Sequence, residues 1–245
     1  MTVRPGERRL ALVTGASRGL GEEIASFLAL EGFDLVVTAR GEPSLQAAAS
    51  RFRSHGGSVE AVAGDVTDPR HRAEVRALVE RRGRLDLLIN NASELGPSPL
   101  PRLEAAPLSA LERVLAVNVI APLALVQELL SCLSAAHGSV VNISSDAALA
   151  GYPSWGMYGS SKAALDLLGL TLAHELEDRG VSVVTVDPGD LRTSMHQAAF
   201  PGTDISDRPL PSVTLPFWAW LLHQDPKLVS GRRFRAQSDR WELPV

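Results

Sequence analysis

Tyr158 and Lys162 stand four residues apart in Tyr158-Gly159-Ser160-Ser161-Lys162, and Ser145 lies thirteen positions upstream. If the segment is helical, the phenol and the ammonium share one face, roughly 5–6 Å apart at Cβ. A free phenol titrates near pH ~10, too high for proton exchange at neutral pH. A cation one turn along favours the phenolate. At ~4 Å and an effective dielectric of ~20 the attraction is on the order of 4 kcal/mol, or roughly three pK units before desolvation. That would bring the tyrosine into the range of a general acid–base. A tyrosine and lysine at this spacing also occur in ordinary solvated helices, so the rest of the chain must supply the context.

The context is an alternation of short apolar runs and longer helical patterns. Strands are expected at 10–14, 34–38, 58–63, 85–90, 139–143, 181–186 and 232–235, and helices at 19–31, 43–55, 69–82, 108–136 and 156–179. Such alternation means βαβ units and a parallel sheet covered on both faces, a doubly wound α/β fold. No repeat or linker divides the chain, so one domain over 1–245 is expected. Residues 1–9 are taken as a flexible N-terminus and 190–224 as a variable substrate loop or lid. Residues 93–107 and 190–216 are the long loops, and open sheets of this kind bind ligands beyond the carboxyl ends of their strands.

Between the first strand and first helix lies Thr14-Gly15-Ala16-Ser17-Arg18-Gly19-Leu20-Gly21. Glycines there permit a tight turn and close backbone approach, and the helix N-terminus offers free N–H groups to a pyrophosphate. Gly15, Ser17, Arg18, Gly19, Leu20 and Gly21 are therefore candidate cofactor residues. An acidic residue ~20 positions on would hold a free ribose 2′-hydroxyl. The second strand instead ends in Ala39-Arg40. Arg40, helped by Arg18, suits a 2′-phosphate, which favours NADP(H) over NAD(H).

With these residues in place the chain resembles the short-chain dehydrogenase/reductase family. The likeness runs from Leu10 to about Thr193: the glycine turn, Asp65-Val66, Asn90-Asn91-Ala92-Ser93, Asn118, the Ser145–Tyr158–Lys162 set, and Pro188-Gly189-Asp190-Leu191-Arg192-Thr193. It implies a Rossmann-type sheet of about seven strands and reversible carbonyl/alcohol redox chemistry. By the resemblance, Tyr158 exchanges the proton and Ser145 orients the substrate oxygen. Lys162 lowers the Tyr158 pKa and holds the nicotinamide ribose, and Asn118 holds a water leading to solvent. Asp65 and Val66 would contact adenine. Asn91 and Ala92 belong to the cofactor set, and Pro188, Gly189, Leu191 and Thr193 close over the nicotinamide. Ser93 and Asp190 depart from the family pattern, which has glycine and an apolar residue there. The tail lacks the family's closing Asp-Gly-Gly.

Trp155, Asp190 and His196 are the candidate substrate residues. Phe217, Trp218 and Trp220 are expected in a lid or a subunit contact. The six histidines are scattered, so no metal site is expected. Cys132, the single cysteine, lies in an apolar helical run and reads as core. A net charge of −4 speaks against a nucleic-acid partner. No signal peptide is expected, and no stretch is expected to approach the ~20 apolar residues of a membrane span. A cytoplasmic homodimer or homotetramer, joined through the long helices near 108–136 and 156–179, is the expected assembly. The partner is a small carbonyl or alcohol. The alternatives are a non-catalytic NADP(H)-binding regulator, or an epimerase or dehydratase on the same fold.

Overall fold

The structure, a computed structural model, describes residues 8–243. Seven strands form one parallel sheet in the order β3-β2-β1-β4-β5-β6-β7. They are β1 Leu10–Thr14, β2 Asp34–Ala39, β3 Val59–Ala63, β4 Leu87–Asn90, β5 Ser139–Ile143, β6 Ser182–Asp187 and β7 Arg233–Arg235. The order reverses direction beside β1, between β1 and β4, and this is where a doubly wound sheet opens its ligand crevice. The helices are α1 Gly19–Leu30, α2 Glu42–Arg53, α3 Pro69–Arg82, α4 Leu108–Leu115, α5 Ala121–Ala136, α6 Gly156–Glu175, α7 Ser194–Ala199, α8 Leu215–Leu222 and α9 Pro226–Val229.

The strands read as continuous apolar runs because both faces are buried. Successive residues alternate between two cores. Ala11, Val13, Leu35 and Val37 face α1, α2 and α8 through Ile24, Leu28, Leu45, Phe52 and Phe217. Leu10, Leu12, Val36 and Leu88 face α3 and α5 through Val75, Leu125, Leu129 and Leu133. Cys132 is buried in this second core, as its apolar run predicted.

Strand bounds agree with expectation to within two residues, and the largest difference is at β4. Leu85 and Asp86 precede that strand because Leu85 N–H bonds to Cys132, while the Asp86 carboxylate accepts from Leu10 N–H at 2.8 Å. The expected helix 108–136 is interrupted. A π-turn at Ala116–Ile120 joins α4 to α5 and carries Asn118. Contrary to the sequence reading, the run Leu108–Ala136 is long and apolar enough by composition to cross a membrane. Much of its apolar surface lies instead against the sheet.

Two further expectations change. Phe217 and Trp218 are neither lid nor subunit contact. They are 0% and 3% exposed, packed in the core beneath α1, with the indole N–H satisfied by Thr214 at 3.0 Å. Trp220 packs on Phe234 and Trp241. The apolar run Leu215 to Leu222 forms α8, and the core is what covers its buried face at Phe217 and Trp218. Of the N-terminal segment expected to be flexible, residues 1–7 lie outside the described residues. Arg9 stacks over the Phe33 ring at 4.1 Å, and its carbonyl accepts from Asp34 N–H.

Candidate active site

At the carboxyl ends of the strands lies a cleft of about 930 Å³. Its floor begins at the glycine turn. Arg18 is the N-cap of α1 and makes no side-chain cap. The first N–H groups of that helix therefore face the cleft free for an anion. The glycines serve packing as well as approach. Gly15 has φ +69°, and a Cβ there would meet Asn91 Nδ2 at 2.8 Å. A Cβ on Gly21 would overlap the same amide and the Gly15 carbonyl. Asn91 fills this space because its Nδ2 donates to the Thr14 carbonyl at 2.8 Å. Thr14 Oγ1 in turn accepts from the N–H groups of Asn91 and Ala92. Asn91 thus braces the turn, and its amide nitrogen is spent on the backbone carbonyls of Thr14 and Gly15.

The far end of the cleft is lined by Arg18, Ala39, Arg40, Gly41 and Ser44. Arg40 is exposed at the end of β2, where no carboxylate replaces it, and it pairs with Glu94 at 3.3 Å. Sequence reading offered no sign of that pair, since the two residues lie 54 positions apart. Val66 packs on Val117 and Ala121 beneath Ala92. Asp65 is clamped by Thr67 N–H at 2.9 Å, Thr67 Oγ1 at 2.7 Å and the Arg113 guanidinium. Burial opposes its ionisation, but these bonds outweigh it and hold the carboxyl at about 2.

Ser145, Tyr158 and Lys162 meet at the inner end. Ser145 caps a turn that follows β5, while Tyr158 and Lys162 lie one helical turn apart on α6. Ser93, Ser145, Tyr158 and Lys162 line this end of the cleft together. The Ser145 hydroxyl donates to Asp146 at 3.1 Å and accepts from Ala147 N–H at 3.2 Å. Lys162, 2% exposed, donates to the Ile143 carbonyl at 2.7 Å.

The expected acidification of Tyr158 by Lys162 is not what the structure gives. Burial pushes the phenol above its usual value; Ser93 and Ser145 pull it down, and the charges of Asp187 and Asp146 push it up again. The Lys162 ammonium lies 5.4 Å from the centre of the tyrosine ring and is turned to Ile143. Its own pKa is lowered to about 8 by burial, against the opposing charge of Asp166 one turn further on.

Asn118 is 1% exposed, and its side chain is fully engaged. Nδ2 donates to the Glu94 carbonyl and to Ser161 Oγ, each at 2.9 Å. Oδ1 accepts from Glu94 N–H at 2.7 Å and from Ser93 Oγ at 3.1 Å. The amide has no capacity left for the water that the family resemblance implied. It locks the 93–94 backbone against α6 instead.

The loop that follows β6 closes the remaining side. Pro188, Gly189, Asp190, Leu191 and Thr193 all line the cleft. Gln237 holds this loop by donating to the carbonyls of Pro188 and Asp190. Thr193 caps α7 through His196 N–H at 3.2 Å. Trp155 stands edge-on to Tyr158 at 5.8 Å and against Phe200 at 5.9 Å. His196 packs on Phe200 at 5.1 Å, with its Nδ1 4.0 Å from Asp190. Asp190 is itself paired with Arg208 at 3.5 Å. The two long loops are tied where Ser98 Oγ donates to the Ala198 carbonyl at 2.7 Å.

Phe200, Arg113, Glu94 and Arg233 escaped the sequence reading. Arg233 on β7 donates to the Ser145 carbonyl at 2.8 Å and pairs with Asp166 at 3.1 Å and Asp187 at 3.3 Å. It fixes the backbone that carries the candidate serine. Nothing local to an Arg-Arg-Phe-Arg segment announces this, because its partners lie 46 to 88 positions away.

Comparison with known proteins agrees with this geometry. A family model described as short chain dehydrogenase matches residues 9–204. The oxidoreductase YciK of Escherichia coli K12 is 32% identical over 237 residues, covering 95% of this chain and 93% of its own length. A short chain dehydrogenase from Shigella flexneri, solved in complex with NADP, is 30% identical with a TM-score of 0.87, covering 94% of this chain and 97% of that one. Another from Escherichia coli CFT073, complexed with NADPH, is 31% identical with a TM-score of 0.85 and the same two coverages. With the sheet order, the glycine turn and the serine–tyrosine–lysine cluster in place, the chain belongs to the short-chain dehydrogenase family of oxidoreductases.

Proposed function

We propose that the protein is an NADP(H)-dependent oxidoreductase that interconverts a carbonyl and an alcohol, with Tyr158 as the proton donor and acceptor. The observation that carries this reading is the convergence of the Tyr158 and Ser145 hydroxyls beside buried Lys162, at the inner end of a cleft that begins at an uncapped helix N-terminus. The cleft residues fit a dinucleotide. The N–H groups of α1 and Ser17 would take the pyrophosphate, and Arg18 and Arg40 a 2′-phosphate. Asp65 and Val66 would border the adenine, and Pro188, Gly189, Leu191 and Thr193 would cover the nicotinamide. The NADP and NADPH complexes of the two similar structures support that choice of cofactor.

The cofactor supplies the hydride. In reduction, Tyr158 gives its proton to the substrate oxygen, and Ser145 turns its hydroxyl from Asp146 towards that oxygen and stabilises the developing charge. Lys162 returns positive charge to the site and orients the ribose. The backbone carbonyl of Asn118, in the π-turn, is the group we assign to the proton path. Trp155 and Phe200 form the aromatic wall for a partly apolar substrate, with Asp190 and His196 at its rim. Exposed Ile120, Leu167 and Leu170 on the long helices support a homodimer or homotetramer, which we place in the cytoplasm.

The test is NADPH consumption against a panel of aromatic and aliphatic ketones and aldehydes. Turnover that falls at least a thousandfold in Tyr158→Phe, on the order expected for loss of general acid catalysis and its bound oxygen, is the expected result. Equal turnover in the variant, or a preference for NADH in the wild type, would reject the assignment.

A further inference from the structure

Five carboxylates line the cleft, and four of them are matched by an arginine. Asp65 pairs with Arg113, Glu94 with Arg40, Asp187 with Arg233 and Asp190 with Arg208. Asp146 is the exception. It accepts from the Ser145 hydroxyl at 3.1 Å and from the Tyr152 hydroxyl at 3.0 Å, both neutral donors, and has no ion pair among the described residues. Arg233 reaches the neighbouring Ser145 carbonyl at 2.8 Å, but its charge is matched by Asp166 and Asp187.

The unmatched charge stands next to the reacting centre. When Ser145 turns its hydroxyl to the substrate oxygen, Asp146 loses one of its two donors. A hydrogen bond of ~2.7 Å from Ser145 to that oxygen keeps the carboxylate within about 6 Å of it. Reduction makes the substrate oxygen negative. At ~6 Å and an effective dielectric of ~20, a lone carboxylate slows such a step by about a hundredfold. The Tyr158 phenol feels the same charge, which pushes it up. A positive group carried by the substrate cancels this repulsion and replaces the donor that Ser145 withdraws.

We propose that Asp146 is a specificity-determining residue for a cationic substrate, its carboxylate taking a protonated amine on the carbon next to the reacting carbonyl or alcohol. The substrate class is an amino ketone and its amino alcohol. The proposal rests on the carbonyl/alcohol chemistry assigned to Ser145 and Tyr158 and names a substrate for it. Trp155 and Phe200, with ring centres 5.9 Å apart, supply the apolar wall for the rest of the molecule. Asp190, the other carboxylate at this rim, is held by Arg208 at 3.5 Å and leaves the amine to Asp146.

Three alcohols of one shape test the proposal: phenylethanolamine, styrene glycol and ethyl phenyl carbinol, which carry ammonium, hydroxyl and methyl at the same position. Binding is measured by calorimetry on the full chain saturated with NADPH, where an alcohol does not react, and kcat/KM is measured with NADP⁺, both at neutral pH. The ammonium compound should bind about tenfold more tightly than the other two. Asp146→Asn keeps an oxygen for Ser145 and Tyr152 but removes the charge, and should erase that preference. In turnover, Asp146→Asn should lower kcat/KM for phenylethanolamine at least about tenfold relative to its effect on ethyl phenyl carbinol, a ratio from which the intrinsic reactivity of each alcohol cancels. High salt should weaken the ammonium compound alone in the wild type.

Equal binding of the three alcohols by the wild type overturns the proposal, as does an ammonium preference that survives Asp146→Asn or is indifferent to salt. Styrene glycol binding as tightly as the amine overturns it too, because Asp146 would then read a donor and not a charge. The two readings fail separately. Charge-dependent binding in a protein that turns over no alcohol upholds the role of Asp146 and rejects the oxidoreductase; turnover without a charge preference does the reverse.

Discussion

If Arg40 holds the 2′-phosphate of NADPH as proposed, Glu94 competes for it, and their ion pair sets the size of that competition. The pair is 3.3 Å long, with side chains 61% and 24% exposed. An ion pair in that setting is worth about 0.2–1 kcal/mol. If Arg40 must leave Glu94 to take a 2′-phosphate, Glu94→Gln removes the competitor and tightens NADPH by about 1.4- to 5-fold. The substitution keeps the Glu94 N–H and carbonyl that hold Asn118. Arg40→Ala should weaken NADPH by roughly tenfold or more, the worth of a charge-assisted bond, and leave NADH nearly unchanged. The double variant separates the mechanisms. Without Arg40, Glu94→Gln can act only by removing charge repulsion from the phosphate, so its gain should shrink. The assay is fluorescence titration with NADPH and NADH for all four proteins, at low salt and again at high salt, where the gain should fade. Equal weakening of both nucleotides by Arg40→Ala, or a Glu94→Gln gain undiminished without Arg40, would refute the reasoning.

Further outcomes follow from the buried charges. Arg233→Met strands two carboxylates that are 17% and 2% exposed, so urea unfolding should show a loss of about 3 kcal/mol, with a fall in kcat as the Ser145 backbone loosens; a loss under about 1 kcal/mol would mean that water already screens the cluster. Asp65, held at about 2 against its ordinary value of 3.8, is depressed on folding, so its contribution is present above pH ~4 and is lost as the pH falls towards ~2. After discounting for its partial exposure, Asp65→Asn should cost about 1–2 kcal/mol at neutral pH and almost nothing at pH ~2, read from unfolding midpoints. Lys162, lowered to about 8, has the opposite sense: the unfolded chain binds its proton more tightly, so this site makes stability rise between pH ~8 and ~10.5. Lys162→Met should therefore raise the neutral-pH melting temperature while removing activity, and a destabilised variant would show that its bond to Ile143 outweighs the desolvation.

How much was legible depends on the range of the interaction involved. The strands were readable because a sheet buried on both faces demands unbroken apolar runs, as in 10–14 and 139–143. The glycine turn was readable because its function lies in consecutive backbone groups. Tyr158 and Lys162 were readable because helical spacing alone brings them to one face. The direction of the Tyr158 pKa was not. It depends on burial, and on the Lys162 ammonium being directed to Ile143, 19 positions away. The aromatic run at 217–220 misled for a related reason. Apolar sequence states that a surface must be covered but not by what, and here the cover is the sheet, α1 and the C-terminal Trp241.

Asn118 shows both sides. The resemblance placed it at a break in the long helix, and a π-turn is found there. Its four side-chain hydrogen bonds reach 93–94 and 161, and only folding brings these together. The sequence by itself determined the order of the elements, the covered parallel sheet and the residue types at the inner end of the cleft, because periodicity and turn chemistry act over a few residues. The tertiary structure alone decided which charges and polar groups face which: Arg40 on Glu94, Arg113 on Asp65, Arg233 between Asp166 and Asp187, and Ser93 on Asn118. Hydrogen bonds and ion pairs act over a few ångströms of space, and a parallel crossover sheet brings together residues that the chain keeps far apart.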